Sequence, residues 1–346
     1  MRTEPVTFYS EGVKIGAILR MPDDPLSEPA PAIVQGPGWL GLKDAKLYER
    51  YHQALTDAGY LVLVFDYRGF GDSEGARDMI DPAMQVQDWR NAITYMQTRS
   101  DVDPKRIGAF GTGGTGGGNA VSVAGIDDRV LCTVCQVGVA DGEDWLHRMR
   151  REYEWVAFRR RLEEDRKRRV LEGQSELVDP KQEIMIAAPE RQATAVKKDV
   201  DGRVPTLVQL RSADAIIAYK PIDFVSRISP RALMLIAVDP DAVTPFDHSL
   251  RLFERAGAPK RLVVQRDTSH YRAYDQYHEI VTPMIVEWFN RYMGNGPITV
   301  FEETELDQID RAMCDAGSDI DGDGKLEHRC VVERGKHAAD NTCTFM

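Results

Sequence analysis

Short, continuous apolar runs separated by amphipathic helical segments constrain the fold of this chain more than any other feature. The runs "PAIVQG", "YLVLVFDY", "RIGAF" and "RVLCTVCQV" have no polar alternation, which is typical of strands buried on both faces. Strands of this kind occur in parallel sheets covered by helices. The pattern therefore predicts an α/β fold with a mostly parallel sheet and helices on both faces.

The helices between these strands carry recognisable ends. The segment "LYERYHQALTDAG" has apolar residues at helical spacing and stops at Gly59, a common signal just after a helix. Asp81 is followed by Pro82, so we expect the carboxylate to cap a second helix whose first residue is the proline.

The strand and helix alternation breaks after "RVLCTVCQV" and resumes at "RALMLIAV" and "KRLVVQ". We therefore expect a core made of residues 1–140 and 221–293, with a helical cap insertion at 141–220. Residues 294–346 form a C-terminal extension to which the sequence assigns no role.

The extension contains "DIDGDG", in which Asp319, Asp321 and Asp323 match the start of a calcium-binding loop. The twelfth position of such a loop carries a bidentate glutamate, but here it is Cys330. An acidic surface turn is the better interpretation, and we expect no metal site.

The formal net charge of −11 argues against a nucleic-acid partner, because phosphate binding needs a basic surface. Residues 148–169 have the opposite charge balance, with ten Arg or Lys against five Asp or Glu. A solvated helix face explains this stretch best, and a basic patch over an anionic substrate is the alternative.

No apolar run is long enough to span a membrane, and the N-terminus lacks the pattern of a secretory signal. We therefore expect a cytoplasmic protein without a membrane partner, and the sequence leaves a homodimer open. Cys132 and Cys135 form a C-x-x-C, but on a strand they would point to opposite faces, which disfavours metal or redox chemistry. We expect no cofactor.

The stretch "FGTGGTGGGN" at the end of a predicted strand admits two interpretations. Gly111, Gly113 and Gly116 satisfy G-x-G-x-x-G, the phosphate-binding pattern of NAD(P)-binding folds. That pattern belongs in the first β-α-β unit, with an acidic residue about twenty positions later. Here two strand and helix units precede it and Gln136 takes the acidic position, so NAD(P) binding is the weaker alternative.

The other interpretation comes from resemblance. "FDYRGFGDSEG" resembles the stretch after an early strand in proteins of the α/β-hydrolase fold. "RIGAFGTGGTGGGNAVSVAGIDDRV" resembles the nucleophile-elbow segment of their dienelactone-hydrolase-like and X-prolyl-peptidase-like esterases. "AVDPDAVTP" and "QRDTSHYRAY" are similar to the loops that carry the acid and the histidine. The resemblance covers about residues 5–293 and implies an α/β-hydrolase fold.

The resemblance implies a role for several residues. His270 takes the position of the catalytic base and Asp241 that of its acid, with Asp239 as a second candidate for the acid. The order of elbow, acid and histidine along the chain is the one that this fold uses.

An oxyanion hole is implied by the same resemblance. Its loop corresponds to "QGPGWLG", where backbone N–H groups near Pro37, Gly38 and Trp39 would face a substrate oxygen. The second donor would be the N–H of Gly114, the residue after the nucleophile position.

This chain departs from the family pattern at the nucleophile itself. The serine position falls on Gly113, and the aromatic position that follows is Gly114. Thr115 is a candidate substitute nucleophile and Thr112 a weaker one, because the residue before the elbow position points away from the site.

Without the serine, the implied site keeps a base, an acid and oxyanion donors. The missing CH2OH leaves a space comparable to one water molecule, whose share of liquid volume is about 30 Å³. His270, oriented by Asp241, would deprotonate that water, a substrate hydroxyl or a carbon acid. Hydrolysis of an ester, thioester or lactone and a nucleophile-free cleavage, elimination or rearrangement are both consistent with this arrangement.

A binding protein that has lost catalysis is the remaining alternative, since glycine occupies an elbow position without strain. In either case we expect a small-molecule ligand. Trp39, Trp145 and Trp155 lie near the expected pocket mouth and the cap, where they would contact the ligand or pack the cap onto the core.

Overall fold

The computed structural model describes residues 1–189 and 202–294. Eight strands form one sheet, in the order β1 (Arg2–Ser10), β2 (Val13–Met21), β4 (Leu61–Phe65), β3 (Ala30–Gly36), β5 (Val102–Thr112), β6 (Val130–Gln136), β9 (Ala232–Asp239) and β10 (Lys260–Arg266). Strands β3, β4, β5, β6, β9 and β10 run parallel to their neighbours within this group. The predicted α/β fold with a mostly parallel sheet is therefore confirmed.

Two further strands, β7 (Leu177–Val178) and β8 (Val208–Gln209), lie outside this sheet. Strands β7 and β8 pair with each other in a separate two-stranded sheet.

The described helices have these bounds: α1 Glu49–Asp57, α2 Pro82–Gln97, α3 Gly113–Ile126, α4 Gly142–Arg148, α5 Glu152–Glu172, α6 Arg211–Ile217, α7 Phe246–Arg255, α8 Ala273–Gln276 and α9 His278–Met293. No helix within the described residues is long and apolar enough to cross a membrane.

Two helix ends follow the sequence signals. The Asp81 carboxylate accepts hydrogen bonds from the N–H groups of Ala83 and Met84, and α2 begins at Pro82. Gly59 lies just beyond α1 with a φ of +89°, a left-handed conformation that favours glycine.

An antiparallel hairpin of β1 and β2 at the start of the sheet was not predicted from the apolar runs. Strand β1 alternates between exposed and buried residues because one of its faces meets solvent. The turn uses Glu11 and Gly12, with φ values of +48° and +80°, which suits a tight hairpin.

Helices cover both faces of the sheet. Helices α1 and α9 pack against each other, and α9 also packs against β6. Their face holds a large buried cluster that includes Tyr51, Phe110, Trp288 and Phe289. Helix α3 packs against β5, β6 and α2.

The residues between β6 and β9 lie outside the eight-stranded sheet. In their described part, arginines of α5 form ion pairs with acidic groups of the same insertion. Arg161 pairs with Glu176 at 2.6 Å, and Arg166 pairs with Asp214 at 2.7 Å. These pairs offset part of the positive charge of residues 148–169, in line with a structural role for that stretch.

The two cysteines of the C-x-x-C lie on opposite faces of β6. The Cys132 thiol faces the carbonyl of Trp288 on α9, whereas Cys135 lies against Gly138 on the side of α3. Both are free thiols, and burial raises the pKa of Cys135 to about 12. The residues of the C-terminal extension beyond Gly294, including the calcium-loop pattern at Asp319, lie outside the described residues.

A buried histidine ties α1 to the strands beneath the glycine stretch. His52 Nε2 contacts Gln35 Oε1, and Gln35 Nε2 donates to Thr112 Oγ1 at 3.5 Å. Burial, with a smaller effect of the Arg20 charge, lowers the pKa of His52 to about 3.

We predict that His52 makes folding weaker in mild acid. A neutral buried histidine gives stability that is present above its unfolded pKa of about 6.5 and is lost as the pH falls towards 3. Between pH 7 and pH 5 the loss from this group is about 2 kcal/mol. Urea unfolding of His52→Leu and of the partly exposed control His278→Asn tests this, because only the first change should flatten the pH dependence.

Candidate active site

The turn from β5 into α3 places Gly113 in the left-handed region, with a φ of +71°. Residues with a Cβ atom adopt this conformation at an energetic cost, so glycine suits the position. The Gly113 N–H donates to the Tyr274 hydroxyl at 2.9 Å, and this hydrogen bond helps to fix the turn.

The rest of the glycine stretch is explained by close packing. A Cβ atom added to Gly116 would lie 2.6 Å from the Pro37 carbonyl oxygen. One added to Gly117 would lie 2.6 Å from Gly138 Cα. These distances are shorter than van der Waals contact, so α3 approaches β3 and β6 because its first turns lack side chains. The glycines thus have a structural reason that requires no phosphate ligand.

The loop after β3 meets the β5–α3 turn through backbone atoms. A Cβ atom on Gly113 would lie 3.0 Å from Gly38 Cα and 4.0 Å from the Trp39 nitrogen. The Gly114 N–H is the second of α3, so it has no acceptor within the helix. The amides of the loop and of α3 therefore border the same small volume.

One of the expected oxyanion-hole residues has no donor. Pro37 lacks an N–H, so of the three expected residues only Gly38 and Trp39 can donate a hydrogen bond. The loop continues through Leu40, a residue with a φ of +55° that is almost fully buried.

A tryptophan covers Gly114. A Cβ atom on Gly114 would lie 3.1 Å from the Trp145 ring and 3.3 Å from Thr244 Oγ1. The Trp145 indole N–H donates to the Val243 carbonyl at 2.8 Å, and its ring meets that of Trp39 edge to face at 6.0 Å. Trp145 thus fills the space that a side chain at position 114 would need.

His270 and Asp241 are in direct contact. His270 Nδ1 lies 2.7 Å from Asp241 Oδ2, and both side chains are almost fully buried. Asp241 Oδ1 accepts from the N–H groups of Val243 at 2.7 Å and Thr244 at 2.9 Å. Because this fixed carboxylate engages Nδ1, Nε2 is the nitrogen of His270 that has no hydrogen-bond partner among the described residues. The other acid candidate, Asp239, instead faces Arg266 at 3.9 Å.

Tyr274 joins the histidine loop to the glycine turn, a role that the sequence did not suggest. Its ring lies 6.3 Å from that of His270, and its hydroxyl accepts from Gly113. Burial raises the pKa of Tyr274 well above its usual value, so the hydroxyl stays protonated. Nothing in "SHYRAY" marks this role, because the hydrogen bond joins residues 161 positions apart in the chain.

Three other predicted site residues, Thr112, Thr115 and Trp155, make contacts with residues other than His270 and Asp241. Thr112 Oγ1 is directed towards Gln35 in the sheet, and Thr115 is buried on α3 with its carbonyl accepting from Tyr219 at 3.5 Å. The ring of Trp155 stacks on His147 at 4.9 Å, away from the pair formed by Trp39 and Trp145.

A second cluster brings Asp144, Asp247 and His248 together with metal-ligand spacing. Its groups are already engaged: His248 Nδ1 accepts from the Ala140 N–H at 3.1 Å, while Nε2 lies 2.8 Å from Asp144. Arg148 pairs with both carboxylates. The cluster is therefore explained as an ion-pair network that holds α4 against α7.

The sequence is similar to known proteins along most of its length. The sequence profile described as X-Pro dipeptidyl-peptidase (S15 family) matches residues 11–271. An uncharacterized 31.7 kDa protein from the traX-finO intergenic region of Escherichia coli is 28% identical over 289 residues, which cover 82% of this chain and 97% of that protein.

Two further comparisons concern named proteins. The thiohydrolase aneE of Aspergillus aculeatus is 25% identical over 258 residues, covering 70% of this chain and 79% of the relative. The crystal structure of the α/β hydrolase GrgF from Penicillium superposes with a TM-score of 0.71 at 20% identity, covering 85% of this chain and 99% of that one. The superposition supports the α/β-hydrolase fold.

We predict that Gly114 and Trp145 depend on each other. Gly114→Phe should destabilise the fold by about 1–3 kcal/mol, because the new ring overlaps the Trp145 indole. Adding Trp145→Ala should recover part of that loss by freeing the space. Thermal unfolding of the two single variants and the double variant measures this coupling, and purely additive effects would contradict it.

Proposed function

The chain belongs to the X-Pro dipeptidyl-peptidase (S15) family, and we propose that it hydrolyses small acyl compounds by activating water directly with His270. In this proposal Gly113 occupies the position of the nucleophilic serine, and no covalent acyl-enzyme forms. Esters, thioesters and lactones are the substrate class, because each has an electrophilic acyl carbon and a leaving group.

The proposal rests on the surroundings of Gly113, where a side chain would point at backbone atoms. The three atoms nearest to a Cβ added there belong to the backbone of Gly38 and Trp39. At Gly114, by contrast, the nearest atoms belong to the side chains of Trp145 and Thr244. The space at Gly114 is taken by side chains, whereas the neighbours of Gly113 are backbone atoms and no side chain replaces the serine. In the proposal a water molecule, whose share of liquid volume is about 30 Å³, takes the role of the serine hydroxyl beside this turn.

His270 has the chemistry required of a general base. Asp241 accepts at Nδ1, which favours the tautomer with its proton on Nδ1 and leaves Nε2 able to take a proton from water. Two backbone N–H groups fix the Asp241 carboxylate, so the imidazolium formed during attack is stabilised in place. General-base catalysis of this kind is worth about 10²–10⁴-fold in rate.

The oxyanion that forms on the acyl carbon would be stabilised by backbone amides. The N–H of Gly114 and those of the loop at Gly38 and Trp39 border the space beside Gly113. Removing one donor of such a hole in other enzymes costs about 10²–10³ in kcat. The rings of Trp39 and Trp145 supply apolar walls for the acyl or leaving group.

Membership of a hydrolase family favours hydrolysis over a carbon–carbon cleavage at the same site. A relative named as a thiohydrolase supports acyl transfer to water as the chemistry, and we extend that chemistry to this chain as part of the proposal. A thioester is the preferred first substrate, because its acyl carbon is more electrophilic than that of an ordinary ester.

We predict that His270→Gln lowers kcat/KM for a p-nitrophenyl ester or an acyl thioester by about 100-fold or more. Asp241→Asn should also lower it, because the amide favours the wrong tautomer of His270. The matched control is His147→Gln, which changes a half-exposed histidine paired with Glu152. Full activity in His270→Gln would reject a catalytic role for His270, and absence of hydrolysis in the unmodified chain would favour a binding protein.

We predict that Gly113→Ser changes the kinetic mechanism. The serine Cβ would lie 3.0 Å from Gly38 Cα, so a small shift of the loop accommodates it. Stopped-flow hydrolysis of p-nitrophenyl acetate should show a burst of nitrophenolate in Gly113→Ser, and steady-state release without a burst in the natural protein. A burst of the same amplitude in both proteins would contradict the absence of a nucleophile.

A further inference from the structure

A cavity lies apart from the residues of the candidate active site. It has a volume of about 340 Å³, within the range of small-molecule sites, and none of the predicted catalytic or oxyanion residues lines it. It is bordered by the loop after β4, the first turn of α2 and Arg211 at the start of α6.

The wall of this cavity is mainly apolar. Val13, Phe70, Met79 and Met84 line it, and Phe70 is almost fully buried. Methionine side chains adapt to ligands of varied shape, so two of them suit a flexible alkyl chain. An alkyl chain would bury apolar surface here at about 25 cal/mol per Å².

Gln85 adds a buried polar group to the wall. It is only 5% exposed, and its Oε1 accepts from Asn119 Nδ2 at 3.1 Å. No acceptor among the described residues takes a hydrogen bond from its Nε2. A buried amide with an unused N–H group costs free energy that a ligand acceptor would recover.

The charged groups of the wall leave one cation unpaired. Arg68 is held by Asp88 at 2.6 Å, and the Asp81 carboxylate caps the N–H groups of α2. The Arg211 guanidinium has no acidic partner in the part of the chain that the structure describes. The unused polar groups of the cavity wall are therefore the donors on Gln85 and Arg211 and the second oxygen of Asp81, whose first oxygen caps α2.

We infer that this cavity binds a small amphipathic carboxylate, with its alkyl chain between Phe70 and the two methionines. The carboxylate accepts from the Arg211 guanidinium, and the Gln85 amide is the second donor. An alcohol of the same length would satisfy the apolar wall but would lack the charge that Arg211 pairs with. An alkylammonium ion would meet the Arg211 cation and the Gln85 N–H group, and its one acceptor would be the Asp81 carboxylate that already caps α2, so we expect it to bind more weakly than the carboxylate.

The probe is octanoate, compared with octan-1-ol and octylammonium in isothermal titration against the natural full chain. We expect octanoate to bind about 10-fold or more tightly than either octanol or octylammonium. The measurement involves no turnover, so its outcome is independent of the proposed hydrolysis.

Two variants locate the site. Gln85→Glu keeps an oxygen for Asn119 but replaces the free donor with a negative group, and it should weaken octanoate binding about 10-fold or more. Arg211→Met should weaken it to the level of octanol. Arg160→Met, which removes an exposed arginine of α5 outside the cavity, is the control and should leave binding unchanged.

The inference is overturned if octanoate binds no better than octanol or does not bind. It is also overturned if Arg160→Met weakens octanoate binding as much as Arg211→Met does. If Gln85→Glu lowers the unfolding temperature markedly, Arg211→Met decides, because that side chain is exposed and its loss leaves no buried gap.

Discussion

The backbone contact between the loop after β3 and the β5–α3 turn is the interaction on which the candidate site depends. A Cβ atom on Gly38 would lie 2.8 Å from the Thr112 carbonyl oxygen, and one on Gly113 would lie 3.0 Å from Gly38 Cα. Only with glycine on both sides do the two segments approach this closely. Their closeness brings amide groups from two distant parts of the chain to one small volume.

The parallel sheet explains why the remaining groups gather at the same place. The carboxyl ends of parallel strands share one edge of a sheet, and ligands bind there in open α/β folds. Strand β5 ends at the glycine turn, β9 leads to Asp241 and β10 leads to His270. Tyr274 then closes the arrangement, because its hydroxyl accepts from Gly113 while its own helix follows the histidine loop.

The fold was predictable because its strands are continuous apolar runs, and burial on both faces leaves little alternative. The contact between His270 and Asp241 is consistent with the family resemblance, although their catalytic roles remain a proposal. The hairpin of β1 and β2 was missed because half-buried strands do not give apolar runs.

Other features could not be read from the sequence because they depend on contacts between distant segments. Nothing near Gly114 in the sequence indicates that Trp145, on another element, fills its side-chain space. The cavity beside Gln85 likewise joins three separate segments of chain. The glycine stretch looked ambiguous for the same reason, since its meaning lies in the backbones of Pro37 and Gly138 that it contacts.

We propose that this site transfers an acyl group to water without a covalent intermediate. Intact-protein mass spectrometry of the natural chain, quenched in acid during turnover of an acyl thioester, tests it most directly. We expect the free acid to accumulate while the protein keeps its unmodified mass at every time point. An adduct of the acyl mass that forms and decays at the rate of turnover would contradict it.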